Sequence, residues 1–303
     1  MSTVRVNLLG KFGMQSDRGE LGLETKLREL LAYLLIRRDR PHSREALAAL
    51  IWGDCPTGQS RKCLRQALWQ INSAVQEHLD GSAEPLLLAE PDWIQLNPGL
   101  DLWIDVAVLE EAAESARGRP GNQLPPDCAE ALRRAAQVYR GDLLEGCYED
   151  WCLFERERLQ NLYLAMLDKL VQCCEAGQEY EAGLAYANRI LSYDRAHERA
   201  HRQVMRLYYL AGDRSEALRQ YRRCATALRA ELDVEPSRAT ARLYEAIRAD
   251  RLDARAPAGE AETRALPRVL AQLKQLHRLL GGVQSELERD IDAVEMTLDR
   301  WRC

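Results

Sequence analysis

Two stretches of this chain repeat each other at a spacing of 35 residues. Gly177, Glu181, Ala182 and Tyr186 stand in register with Gly212, Glu216, Ala217 and Tyr221. A repeat of that length is the signature of paired antiparallel helices of the tetratricopeptide kind, about 34 residues per unit, with a small residue where the helices cross. Ala182 and Ala217 suit the crossing, because a larger side chain there holds two helices apart. A generic helical bundle is the alternative, and four identities in register favour the repeat. Such a unit cannot bury its apolar face alone, so the repeat commits much of 101–252 to stacked helices.

The N-terminal hundred residues read differently. Val4 to Met14 is β-branched and apolar with glycine punctuation, which predicts a strand and a turn, with a second strand near Leu21 and Leu23. From Glu24 the period changes: Leu27, Leu30, Leu31, Leu34 and Leu35 mark a helix to about Arg38. Ser43 is expected to cap the next helix, with Ala46, Leu47, Leu50 and Ile51 as its buried stripe. After a loop at 53–58 a third helix runs to about Leu79. Pro85–Leu88 and Trp93–Leu96 then form a hairpin around Ala89-Glu90-Pro91-Asp92. Strands, three helices and a terminal hairpin are the element order of a winged helix-turn-helix. The expected fold is therefore mainly α, with a small α+β N-terminal domain.

Four parts are expected: a winged helix-turn-helix at 1–100, helical repeats at 101–252, a linker rich in small and polar residues at 253–266, and a C-terminal helix at 267–303. In the last, Val269, Leu273, Leu276, Leu280, Val283, Leu287, Ile291, Val294, Leu298 and Trp301 trace a heptad seam with one four-residue stutter near Leu287. Gly281-Gly282 weakens that helix by about 1 kcal/mol per glycine. Leu273, Leu276, Leu280, Val283, Leu287, Ile291, Val294 and Leu298 are the expected homodimer contacts; folding back on the same chain is the alternative.

Charge is distributed unevenly. Residues 1–80 carry 12 Lys and Arg against 9 Asp and Glu, whereas 101–252 carry 22 against 26. A net charge of −5 rules out a general polyanion binder, but a locally basic N-terminal module remains compatible with DNA contact. No run is long and apolar enough to span a membrane, and no apolar h-region follows Met1. No C-x-x-C pair occurs among the nine cysteines. The expectation is a cytoplasmic protein with free thiols, away from membranes.

Motifs for chemistry are few. No glycine-rich phosphate loop and no G-x-S-x-G elbow occurs, so no cofactor is expected. His197-Glu198-Arg199-Ala200-His201 fits H-E-x-x-H, which on a helix sets two imidazoles one turn apart for zinc. It stands at the start of a repeat helix whose core stripe is Val204, Met205 and Tyr208, and a third ligand and a cleft are wanting. Neither a metal nor an enzyme is expected.

The third helix is the informative one. At 100° per residue Leu64, Leu68, Ile71 and Val75 fall on one stripe. The opposite face carries Lys62, Gln66, Trp69 and Ser73, with Arg65 at its edge and Gln59 and Arg61 near its start. Their donors match base edges and phosphates, and they crowd the half of the helix that enters the major groove in helix-turn-helix proteins. Arg37, Arg38, Arg40 and Arg44 form a second cluster, suited to phosphates flanking the groove. A helix C-terminus also attracts basic side chains through its dipole.

These residues resemble the SARP-type bacterial transcriptional regulators, a winged helix of the OmpR kind followed by a bacterial transcriptional activation domain. The N-terminal likeness lies in Leu8-Leu9-Gly10-Lys11-Phe12, Leu30-Leu31-Ala32-Tyr33-Leu34, Ser43-Arg44-Glu45-Ala46-Leu47, Leu50-Ile51-Trp52 and Arg61 to Leu68. The C-terminal likeness lies in Tyr139-Arg140-Gly141-Asp142-Leu143-Leu144, Asp150-Trp151, Glu155-Arg156, Glu198 to Arg202, Met205, Gly212 to Leu218, Glu231 to Pro236 and Leu243-Tyr244. The resemblance accounts for Glu198 to His201 without zinc. It implies binding to double-stranded promoter DNA, activation, and contact with RNA polymerase or its sigma factor. Three features depart from the family pattern: Trp69 replaces a small polar residue and Asn72 an arginine, the wing tip is acidic, and the seam from Pro267 is additional. A helical interaction or ligand-sensing module with little DNA affinity is the competing reading, motivated by the absence of Lys and Arg from 66 to 116.

Overall fold

Apolar periodicity becomes packing in the first helices of the computed structural model, which describes residues 4–78 and 84–252. Contacts divide the chain into two units, Met1–Ala249 and Asp250–Cys303, and every described helix and strand lies in the first. The C-terminal seam, from Leu273 to Leu298, and the linker at 253–266 lie outside the described residues.

A first sheet joins β1 (Val4–Asn7), β2 (Gly13–Ser16), β3 (Gly19–Glu20) and β7 (Leu102–Ile104) in the order β3-β2-β1-β7. β1 pairs antiparallel with β2 and parallel with β7, so Val6 lies opposite Ile104. The strand expected at Leu21 and Leu23 forms earlier, as β2 and β3; both leucines are buried beyond it.

Helices α1 (Thr25–Ile36), α2 (Arg44–Ile51) and α3 (Thr57–His78) follow. The five predicted leucines of α1 are all buried. In α2 the buried side chains are Leu47, Ala48 and Ile51, while Ala46 and Leu50 are exposed. Ser43 stands at the N-cap, yet its side chain makes no cap hydrogen bond. Ser43 instead belongs to β4 (His42–Ser43), whose pairing with β6 fixes the entry to the helix. The wing is the antiparallel hairpin of β5 (Leu87–Ala89) and β6 (Trp93–Leu96), with Leu87 opposite Leu96.

From Asp105 to Arg248 the elements are helical: α4 (Asp105–Ser115), a 3-10 turn (Gly121–Gln123), α5 (Pro126–Val138), α6 (Asp150–Ala176), α7 (Tyr180–Tyr193), α8 (Glu198–Leu210), α9 (Arg214–Leu232) and α10 (Arg238–Arg248). From α6 to α10 each helix packs on the next. The two copies of the repeat are α6–α7 and α8–α9, with Gly177 and Gly212 at the turns. Ala217 is fully buried as predicted, whereas Ala182 is only partly buried and its neighbour Gly183 makes the close approach to α6 and α8. A Cβ on Gly183 would meet Leu207 at 3.1 Å and Cys174 at 3.2 Å.

The turn after β1 and the loop before α6 are joined by backbone. Gly10 N–H donates to Asp142 O at 2.8 Å, Leu144 N–H to Leu8 O at 2.9 Å, and Glu145 N–H to Gly10 O at 2.9 Å. Gly10 has φ +94°, a conformation open to glycine, and the approach is close, since a Cβ on Gly141 would lie 3.3 Å from Gly10 Cα. The Leu8-Leu9-Gly10 and Gly141-Asp142-Leu143-Leu144 motifs are thus two sides of one joint. Asp105 locks it from below: its Oδ2 accepts from Leu8 N–H at 2.7 Å and Leu9 N–H at 2.8 Å, and its Oδ1 from Val106 N–H at 2.7 Å. Burial pushes the Asp105 carboxyl up to about 6, against the downward pull of those N–H groups and of the Arg140 charge. Arg156 clamps the same loop, donating to the carbonyls of Leu143, Leu144 and Cys147.

Candidate nucleic-acid interface

Helix α3 divides its residues as its periodicity demands. Leu64, Leu68, Ile71 and Val75 are all buried, and burying each such side chain is worth about 1.5–3 kcal/mol. That stripe seats α3 on α1 and α2 and leaves its other face outward. Gln59, Arg61, Lys62, Arg65, Gln66 and Trp69 are all exposed, and the Trp69 indole is 70% exposed. Lys62, Arg65, Gln66 and Trp69 form no side-chain hydrogen bond or ion pair among the described residues. Arg61 reaches back to Glu45 on α2, bracing the turn between the helices. α3 therefore presents cations, amides and one indole on its N-terminal half.

Behind this face, Asn72 docks the wing. Its Nδ2 donates to Leu87 O at 3.0 Å and its Oδ1 accepts from Leu87 N–H at 2.9 Å. An arginine could not make this reciprocal pair, since its guanidinium has no acceptor. At the wing tip, Arg44 N–H donates to Asp92 O at 3.0 Å and the Arg44 guanidinium to Glu90 O at 3.1 Å. The acidic side chains of the tip, Glu90 and Asp92, stay exposed.

The second basic cluster is divided. Arg37 pairs with Glu155 of α6, whose side chain is 5% exposed. Arg38 pairs with Glu110 of α4 at 2.9 Å, and Arg158 bridges both acids, at 2.7 Å to Glu110 and 2.6 Å to Glu155. Both arginines therefore face the helical domain. Only Arg40 is exposed and free of such a partner among the described residues, with Arg44 held by the wing tip. Tyr33 stacks edge-on against Trp151 of α6, with ring centres 5.3 Å apart, on the same seam.

The H-E-x-x-H run is occupied by structure. His197 Nδ1 accepts from Ala200 N–H at 3.1 Å and so caps α8. His201 is buried; its Nε2–H donates to Arg195 O at 2.9 Å, and its Nδ1 accepts from Gln220 at 2.8 Å. Burial holds His201 below the usual histidine range. Glu198 accepts from Ser237 N–H at 2.8 Å and from the Thr240 hydroxyl. Among the described residues no group of three or more His, Cys, Asp or Glu is placed to hold a metal. No described helix is long and apolar enough to cross a membrane.

Sequence reasoning missed Asn72 and Asp105 as joints. For Asp105 a signal existed, an acid at the first position of a helix directly after a strand. For Asn72 none did, because its partner is a backbone amide 15 residues away.

The comparisons agree with this architecture. Residues 104–248 match the family described as bacterial transcriptional activator domain. The solved structure of Mycobacterium tuberculosis EmbR, in complex with a low affinity phosphopeptide, is similar at a TM-score of 0.59 and 23% sequence identity. The match covers 90% of this chain and 71% of EmbR. No curated protein matches the sequence.

Proposed function

We propose that the chain is a transcriptional regulator of the SARP type, whose residues 104–248 match the bacterial transcriptional activator domain, and that it binds promoter DNA through α3. The observation that carries this is the outward face of that helix, where Lys62, Arg65, Gln66 and Trp69 have no partner among the described residues. Lys62, Arg65 and Gln66 read base edges in the major groove, with Gln59 and Arg61 near the backbone and Trp69 packed against the groove wall. Arg40 and Arg44 are the flanking phosphate contacts. Arg37 and Arg38 reach phosphates only by turning from Glu155 and Glu110, with which they pair in the free protein.

In this reading the helical domain is an activation platform for RNA polymerase or its sigma factor. The joint at Gly10 and Asp142 transmits its position to the recognition helix. A second copy, recruited through 267–303, raises the effective concentration of the other DNA module.

Selection of bound sequences from random duplex DNA, followed by titration of the winning site, tests the proposal. Lys62→Ala and Arg65→Ala should each cost about 1–3 kcal/mol where a base contact is lost, and should flatten the salt slope by about 1 where a phosphate contact is lost. Affinity unchanged by both substitutions refutes the assignment.

A further inference from the structure

A cleft of about 630 Å³ opens where the first sheet meets the helical domain. β1 contributes Arg5, β7 contributes Trp103, α4 contributes Glu111, and the end of α5 and the residues after it contribute Arg134 and Arg140. Its volume lies within the ordinary range of small-molecule sites, about 300–1,000 Å³.

The charge in the cleft is unbalanced. Three guanidiniums face one carboxylate. Arg134 and Arg140 make no hydrogen bond or ion pair among the described residues. Arg140 acts on the buried Asp105 only through space. Arg5 lies over the Trp103 ring, 4.7 Å from its centre, so cation and indole stack one on the other. Val108, Ala112 and Val138 supply the apolar part of the lining.

We propose that this cleft binds a nucleoside phosphate. A flat heterocycle is the body that a stacked guanidinium and indole accept. A phosphate is the anion that Arg134 and Arg140 match, since a guanidinium fork recognises its oxygens in pairs. Glu111, repulsive to a bare polyanion, accepts instead from sugar hydroxyls or a ring amine. The ligand would bridge strands of the DNA-binding module and helices of the activation domain, and so bind only the joined form. No residue of α3 lines the cleft, so this site is separate from the DNA face.

The test is calorimetric titration of the full chain with AMP, GMP, CMP, UMP, adenosine and inorganic phosphate. At least one monophosphate should bind, with adenosine and inorganic phosphate each about tenfold weaker or more, because each offers half of the recognition. The double substitution Arg134→Ala, Arg140→Ala should weaken that binding by about tenfold or more while the protein stays folded, since both side chains are exposed. Lys62→Ala, Arg65→Ala should leave it unchanged. No monophosphate binding below about 1 mM overturns the proposal. So does a smaller loss in the arginine double variant, or loss in the α3 variant, which would place the nucleotide on the DNA face.

Discussion

Replacing Asn72 by alanine removes a side chain that pins α3 to the backbone of β5 by two reciprocal hydrogen bonds, at 3.0 and 2.9 Å. Leu87 is buried at 1% exposure, so its N–H and C=O have little recourse to water. Two neutral hydrogen bonds at about 1 kcal/mol each set a floor near 2 kcal/mol, and leaving both backbone groups dry raises the loss towards 4. Asn72→Asp is the informative partner. It keeps the acceptor for Leu87 N–H but turns a carboxylate towards Leu87 O, so it should be at least as destabilising at neutral pH and recover in acid. Urea titration with the slope compared between variants measures the loss as a shift of midpoint. DNA affinity measured beside it should fall as well, because the wing is no longer held against α3. If Asn72→Ala unfolds within about 0.5 kcal/mol of the wild type, the pairing does not support the wing and the reasoning fails.

Asp105 carries a pH signature. Its folded carboxyl is held near 6 by burial against an ordinary 3.8, so between those values the folded state keeps a proton that the unfolded chain has released. This group's contribution is full in acid and is lost as pH rises through the window, by up to about 3 kcal/mol. Asp105→Asn should remove that slope, so the stability gap between wild type and variant narrows from about pH 4 to pH 7; a gap that is constant or widens contradicts it. Removing residues 267–303 should yield monomer by light scattering and weaken DNA binding by about 10²–10⁴-fold, the range expected when a linked second module is lost. A truncated protein that stays dimeric places the self-association elsewhere.

Much of this molecule is local, and the local part is legible in the order of residues. The leucine spacing of α1, the inward stripe and outward cations of α3, and the doubled helix pair at 35-residue spacing all follow from a side chain's angular position on its own helix. The structure adds what joins distant segments. Leu8 meets Leu144, Arg37 meets Glu155 and Asn72 meets Leu87, and in each case the partner is invisible in sequence because an arginine or asparagine looks the same whatever it faces. Arg37 and Arg38 read as phosphate clamps by composition, and only the approach of α4 and α6 turned them towards carboxylates. The cleft lined by Arg5, Arg134 and Arg140 has the same origin, since no window of sequence contains all three. Periodicity is written into neighbouring residues; charge pairing and cavity shape are decided where the chain closes on itself.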